Sequence, residues 1–198
     1  MDVTTLLILL LVGAIATYIS GDKLASKVAF AFSLAGLGLS LVLLSTYNNN
    51  GDISFMANWI DVPKVALAFQ ADGLSMAMVL LTTALTPLII LSSFGNTFNN
   101  SKNFYALVLF MSFAMTGTFL AADGLLYYVF WELALIPIYF IALIWGNGDA
   151  DERKKAVLKF FIYTLAGSLF MLIGFAYLYS KANSFLLEDL YSLKLTAT

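Results

Sequence analysis

The chain contains no cysteine and no histidine. Zinc, haem and iron–sulfur sites depend on thiolate or imidazole ligands, so those centres have no ligand set here. Nucleophile and base chemistries built on Cys or His are excluded as well. Without cysteine there is no disulfide framework. Charge is the next scarcity: 10 Lys and Arg and 12 Asp and Glu among 198 residues, or 11%. A soluble domain usually carries about a quarter charged residues. With 61% hydrophobic residues and a mean hydropathy of +0.90, the chain cannot cover compact cores with polar surface, so lipid must face most of it. The near-neutral balance, with no basic stripe, argues against nucleic acid.

What is present is long apolar runs. A spanning helix needs about 20 mostly apolar residues, and six windows approach or meet this: 4–19, 28–47, 74–94, 104–122, 125–145 and 157–179. Runs of this length are too long for strands and lack the ten-residue alternation of a lipid-spanning barrel. Backbone groups in lipid must satisfy one another, which leaves helix. The expectation is an all-α, polytopic single membrane domain over 1–198 with six transmembrane helices. The stretch before the first window holds Asp2 and no Lys or Arg, unlike the basic start of a signal peptide, so that helix is expected to be retained.

The joints are short turns at 21–27 and 95–103, an almost absent loop at 123–124, and a charged segment at 146–156. The long connection is 48–73, which opens on Asn48-Asn49-Asn50-Gly51-Asp52, a turn-forming cluster. A packed extramembrane loop with short strand pairing is expected there, and a short amphipathic surface stretch at 184–190. Alternating helices put Lys23, Lys27, Lys102, Arg153, Lys154, Lys155 and Lys159 on one side, against Lys64, Lys181 and Lys194 on the other. The positive-inside rule makes the first side cytoplasmic and the N-terminus external. Tyr18, Tyr47, Trp145 and Tyr179 fall at helix ends, where interfacial aromatics belong.

One charge lies well inside a spanning window. Glu132 is the eighth residue of 125–145, about 10 Å from its start at 1.5 Å per residue. A carboxylate at that depth is costly unless paired, hydrated or protonated, and such groups mark ion or proton paths. The alternative role is a hydrogen-bonding tie between two helices. Pro137, five residues on, leaves the Leu133 carbonyl without its helical donor and kinks the helix. Pro87 does the same to the Thr83 carbonyl, where Thr82, Thr83 and Thr86 offer hydroxyls to patch it. Lys159 either reaches back to the interface with Lys154 and Lys155 or turns inward to a carboxylate. Asp72 and Asp123 each precede a helix and read as N-caps, with Asp123 also a candidate functional acid because its hairpin leads to Glu132. Ala29, Ser33, Gly36 and Ser40 make one small-residue face that permits close helix approach, and Thr164, Gly167, Ser168 and Gly174 a similar one.

The stretch from Phe119 to Phe140 contains Asp123-Gly124-Leu125-Leu126-Tyr127-Tyr128-Val129-Phe130-Trp131-Glu132-Leu133-Ala134-Leu135-Ile136-Pro137-Ile138-Tyr139-Phe140. It resembles the M subunit (chain 4) of NADH:quinone oxidoreductase, complex I. Ala71-Asp72-Gly73-Leu74-Ser75, Leu85-Thr86-Pro87-Leu88-Ile89-Ile90 and Lys159-Phe160-Phe161-Ile162-Tyr163-Thr164 agree, so the likeness runs from about residue 70 to 180. The resemblance implies a proton-translocating, antiporter-like membrane-arm subunit, with Glu132 as the membrane glutamate of the proton path and Lys159 and Asp123 on matching family positions. It also implies a multi-pass protein of a bacterial inner (cytoplasmic) membrane, partnered by other membrane-arm subunits. NADH, FMN, Fe–S clusters and quinone would be held by partners, and this chain would carry no cofactor. A cation/proton antiporter subunit or a non-catalytic membrane scaffold are the competing readings. The family's later membrane lysine and its His-x-Trp-Leu-Pro-x-Ala-His pattern have no counterpart, so the chain is expected to be an N-terminal part of a longer one.

Overall fold

The computed structural model describes residues 2–61, 63–95 and 98–193, apart from the Asn50 side chain. Lys194, counted above on the less basic side, lies outside the described residues, as do Val62, Asn96 and Thr97 of the expected loops. Among the described residues six long helices, one hairpin and one short helix follow in order. They are α1 (Val3–Ile19), α2 (Ala25–Asn50), β1 (Ile53–Ile60), β2 (Val65–Ala71), α3 (Gly73–Ser92), α4 (Ser101–Leu120), α5 (Gly124–Trp145), α6 (Ala150–Ala182) and α7 (Leu187–Tyr191). Helices α2 to α6 are long and apolar enough to cross a membrane, and α1, with 17 residues, is a shorter apolar helix.

The helices occupy the expected windows, with ends that differ for identifiable reasons. α6 starts seven residues before its apolar window, because Asp151 to Ala156 are mostly good helix formers once the helix is nucleated. Its Asp149 cap accepts the Asp151 N–H at 3.1 Å, and Asp151 and Glu152 complement the positive end of the helix dipole. At 33 residues it is about 50 Å long, well beyond the roughly 30 Å of hydrocarbon, so its charged start projects out of the apolar layer. α2 runs through the Asn-rich cluster and stops at Gly51, whose φ of 79° a side chain would strain.

Helix α4 is central, packed against α1, α2, α3 and α5. One apolar cluster joins Leu6, Leu10, Leu43, Val79, Leu120 and Phe130 towards the hairpin end. A second joins Ala14, Ala29, Ile90, Tyr105 and Leu109 towards the basic end. The small-residue face of α2 packs as expected: Ala29, Ser33, Gly36 and Ser40 are buried, and a Cβ on Gly36 would press on Leu10 at 3.1 Å. Of the corresponding set on α6 only Ser168 is buried, and Gly167 and Gly174 face open space. The threonines near Pro87 bond elsewhere than the freed Thr83 carbonyl. Thr82 and Thr83 donate to Met78 and Val79, while Thr83 and Thr86 also meet Ser40 and Ser112 across to α2 and α4 at 2.8 and 3.0 Å.

Helices α4 and α5 pack closely at Gly117. A Cβ on Gly117 would stand well inside contact distance of the ring of Phe130, which is itself held edge-on between Phe69 and Phe113. Because that ring has nowhere to swing, Gly117→Ala is expected to cost about 1–3 kcal/mol through overpacking. A lowered unfolding temperature in detergent, with Ala114→Gly as a control at a buried site without that clash, checks this.

At the hairpin end β1 and β2 pair antiparallel from Ile53↔Ala71 to Ile60↔Val65, with an irregularity between Asn58 and Ile60. The sheet does not stop there. Phe69 bridges Ala121, the Ala122 N–H donates to the Ala68 carbonyl at 2.8 Å, and Asp123 bridges Leu186. The α4–α5 turn and the segment after α6 are thus added as further strand-like rungs.

Candidate functional site

Helix α5 is fixed at its start by Asp123. This carboxylate is 1% exposed and accepts three backbone N–H groups: Leu125 at 2.9 Å, Leu126 at 3.1 Å and Ala66 of β2 at 3.2 Å. The first two are the ordinary N-cap contacts; the third ties the hairpin to the helix. Burial pushes the Asp123 carboxyl above the usual carboxylate range, and the three N–H donors offset part of that shift. Asp72 caps α3 in the exposed version of the same arrangement, bonding the Ser75 N–H and hydroxyl, each at 2.7 Å. There the backbone N–H of Ser75 holds the carboxyl below its ordinary value.

With α5 beginning at Gly124, Glu132 stands about 12 Å into the helix. Its side chain is half-buried, and Oε1 is buried without a hydrogen-bond partner. Pro137, also buried, lies within the same helix, so the Leu133 carbonyl next to Glu132 has no amide donor one turn on. Tyr128, one turn earlier, brings its hydroxyl alongside both Glu132 and Ser168 of α6. The level of Ser168 follows from the antiparallel packing of α5 on α6. Phe175 lies against Gly124 and Tyr127, and Phe161 against Tyr139, so Glu132 stands at the level of Ser168. Ser168 donates to its own helix at Leu165 and is the one residue of α6 that is fully buried among those described.

The structure does not bring Lys159 to Glu132. Lys159 is exposed, nine residues before Ser168 and so about 13 Å along α6 from the glutamate's level. Two features escaped the sequence reading. Ser168 was legible only as a small packing residue, and Arg153 only as a loop charge. Arg153 in fact folds back on the end of α5, donating from Nε to Leu143 O at 2.9 Å and from Nη1 to Gly146 O at 2.8 Å. A cation five residues past a Gly-x-Gly turn after a helix was the available signal, since the last carbonyls need donors. Among the described residues no group of three or more Asp, Glu, His or Cys is placed to hold a metal ion.

The arrangement can store a proton. A carboxyl within the apolar layer, with one oxygen unpaired, a phenol beside it that also reaches Ser168, and a free carbonyl one residue away, supplies acceptors and a donor for a proton. Known proteins share this architecture. The family described as NADH:quinone oxidoreductase/Mrp antiporter, TM matches residues 121–197, which include the whole of α5 and α6. The chain is 36% identical over 189 residues to F(420)H(2) dehydrogenase subunit M of Methanosarcina mazei, covering 92% of this chain and 38% of that one. It is 30% identical over 175 residues to NADH-quinone oxidoreductase subunit M of Rickettsia prowazekii, covering 87% and 35%. In structure it superposes on a chain of respiratory complex I from Thermus thermophilus with a TM-score of 0.84 at 28% identity, over 98% of this chain and 40% of that one. The likeness thus extends beyond residues 70–180 to most of the chain, which spans about two fifths of the length of these relatives. Residues 121–197 thus match the transmembrane domain of the NADH:quinone oxidoreductase/Mrp antiporter family, and most of the chain is similar to proteins named as M subunits of F(420)H(2) dehydrogenase and NADH-quinone oxidoreductase.

Proposed function

We propose that the chain acts as a proton-translocating, antiporter-like membrane-arm subunit of a complex of the NADH:quinone oxidoreductase type, coupling quinone reduction to proton transport. The observation that carries this reading is the buried, unpartnered oxygen of Glu132 in the middle of α5, within the residues that match the family. Glu132 takes and releases the proton. Asp123 acts on it by holding the start of α5, and Lys159 acts as a cation at the basic mouth, at a distance. The relatives bear names with different electron donors, F420H2 and NADH. That supports placing the donor site, with FMN, Fe–S clusters and quinone, in partner subunits, and translocation in the part these chains share. The experiment is proton flux and quinone reduction by the assembled complex carrying Glu132→Gln, with Lys159→Met expected to give the smaller loss. Sodium-dependent proton exchange in the absence of any NADH-oxidising partner would favour the antiporter reading, which the Mrp members of the family recommend.

The same reading places the basic end in the cytoplasm and the hairpin end outside. A chain without native cysteine makes this direct to test. In intact cells a membrane-impermeant maleimide is expected to label Asp61→Cys, in the hairpin, and to spare Glu152→Cys, at the start of α6. The opposite pattern would reverse the orientation.

A further inference from the structure

An apolar groove of about 510 Å³ lies between α1, α4 and α5. It runs along α1 from Leu11 to Tyr18 and along α4 from Asn103 to Phe110, with Phe140 and Ile144 of α5 closing one side. Eight residues on each helix, seven rises of 1.5 Å, make it about 10 Å long, which fits within one leaflet of a hydrocarbon layer about 30 Å thick. Its mouth is at the basic end. There the Lys102 ammonium sits 5.2 Å from the centre of the Tyr18 ring, which lines the groove, and so is held at the opening. Lys23 and Lys27 stand at the same end, on the α1–α2 turn and the first turn of α2. The carboxylate of Asp22 is engaged by the first turn of α4, accepting the Lys102 N–H at 2.9 Å and the Ser101 hydroxyl at 3.3 Å.

The geometry points to a binding site for one anionic glycerophospholipid, its acyl chain in the groove and its phosphate on Lys102. An apolar channel within one leaflet that opens beside a cation matches the two chemistries of such a lipid in the order in which they occur in a membrane. A zwitterionic lipid would fill the channel without a charge to answer the lysines.

The test uses the full chain in its assembled complex, extracted in detergent and mixed with phosphatidylcholine vesicles containing a phosphatidylglycerol with a photoactivatable acyl chain. Labelling is expected on the peptide containing Leu107 and Phe110. Lys102→Gln is expected to weaken it about fivefold, the effect of one lysine near a membrane surface, and Lys102→Arg to keep it. Ala106→Phe, which fills the groove, is expected to abolish labelling while assembly yield stays unchanged. Labelling that survives Ala106→Phe would overturn the proposal. So would equal labelling from photoactivatable phosphatidylcholine, or capture of a polypeptide by a photoreactive residue placed at Leu107.

Discussion

Complexes carrying Glu132→Gln are expected to assemble normally and to lose proton translocation, with coupled quinone reduction falling on the order of tenfold or more, each tenfold corresponding to about 1.4 kcal/mol in barrier. Glutamine keeps the volume and polarity of the side chain but cannot release a proton. A carboxyl whose Oε1 is buried without a partner has little structural bonding to lose, so folding should be nearly indifferent to the change. That separates the roles. If Glu132 were a tie between helices, Glu132→Gln would preserve transport and Glu132→Ala would lower thermal stability. Normal pumping by the Gln variant would end the proton-carrier reading. Activity and unfolding temperature, measured together on both variants, distinguish the two.

The second large effect is expected at Asp123. Its removal in Asp123→Ala leaves three N–H groups, on Leu125, Leu126 and Ala66, without their acceptor in a buried site. Unsatisfied buried donors cost about 1–3 kcal/mol each, so a loss of about 3 kcal/mol or more is expected, seen as a lower unfolding temperature and faster proteolysis of the hairpin. Asp123→Asn retains an acceptor oxygen and should lose much less. The pH dependence has a definite sign. Burial raises the folded carboxyl above its unfolded value, so in the window between the two the native state keeps a proton that the unfolded chain has released. Stability therefore falls as pH rises from the unfolded value through the folded one, and Asp123→Asn should flatten that part of the profile. Asp72 runs the other way. Its carboxyl is held below its ordinary value, so its stabilisation is present above the unfolded value and is lost as pH falls through the folded one.

The helices were readable because a lipid solvent leaves the backbone few choices, and 20-residue apolar runs report that constraint directly. Their ends were less so, because hydropathy measures the layer and not the helix: the charged start of α6 and the asparagines closing α2 are helical although no lipid requires it. The two N-caps were legible from residue type and place. That Asp123 also accepts the Ala66 N–H was not, since nothing local to residue 123 marks a strand 57 positions away. At the site, Glu132 was evident as a lone charge in an apolar run. Its surroundings were not, because Tyr128 is one aromatic in an apolar run and Ser168 one small residue in a packing face until α5 and α6 are set side by side. Lys159, adjacent to the site by composition, is removed from it by helical rise.

Helices α5 and α6 are fastened together at both extremities. At the basic end Arg153 clips onto the carbonyls of Leu143 and Gly146; at the other, the Gly124 N–H donates to the Phe185 carbonyl at 2.8 Å. Two rods pinned at their tips cannot slide past one another or fan apart, but they can bow. The compliance of the pair is therefore concentrated at mid-span, where Glu132 meets the level of Ser168, and a separation there that admits a file of water leaves both pins in place.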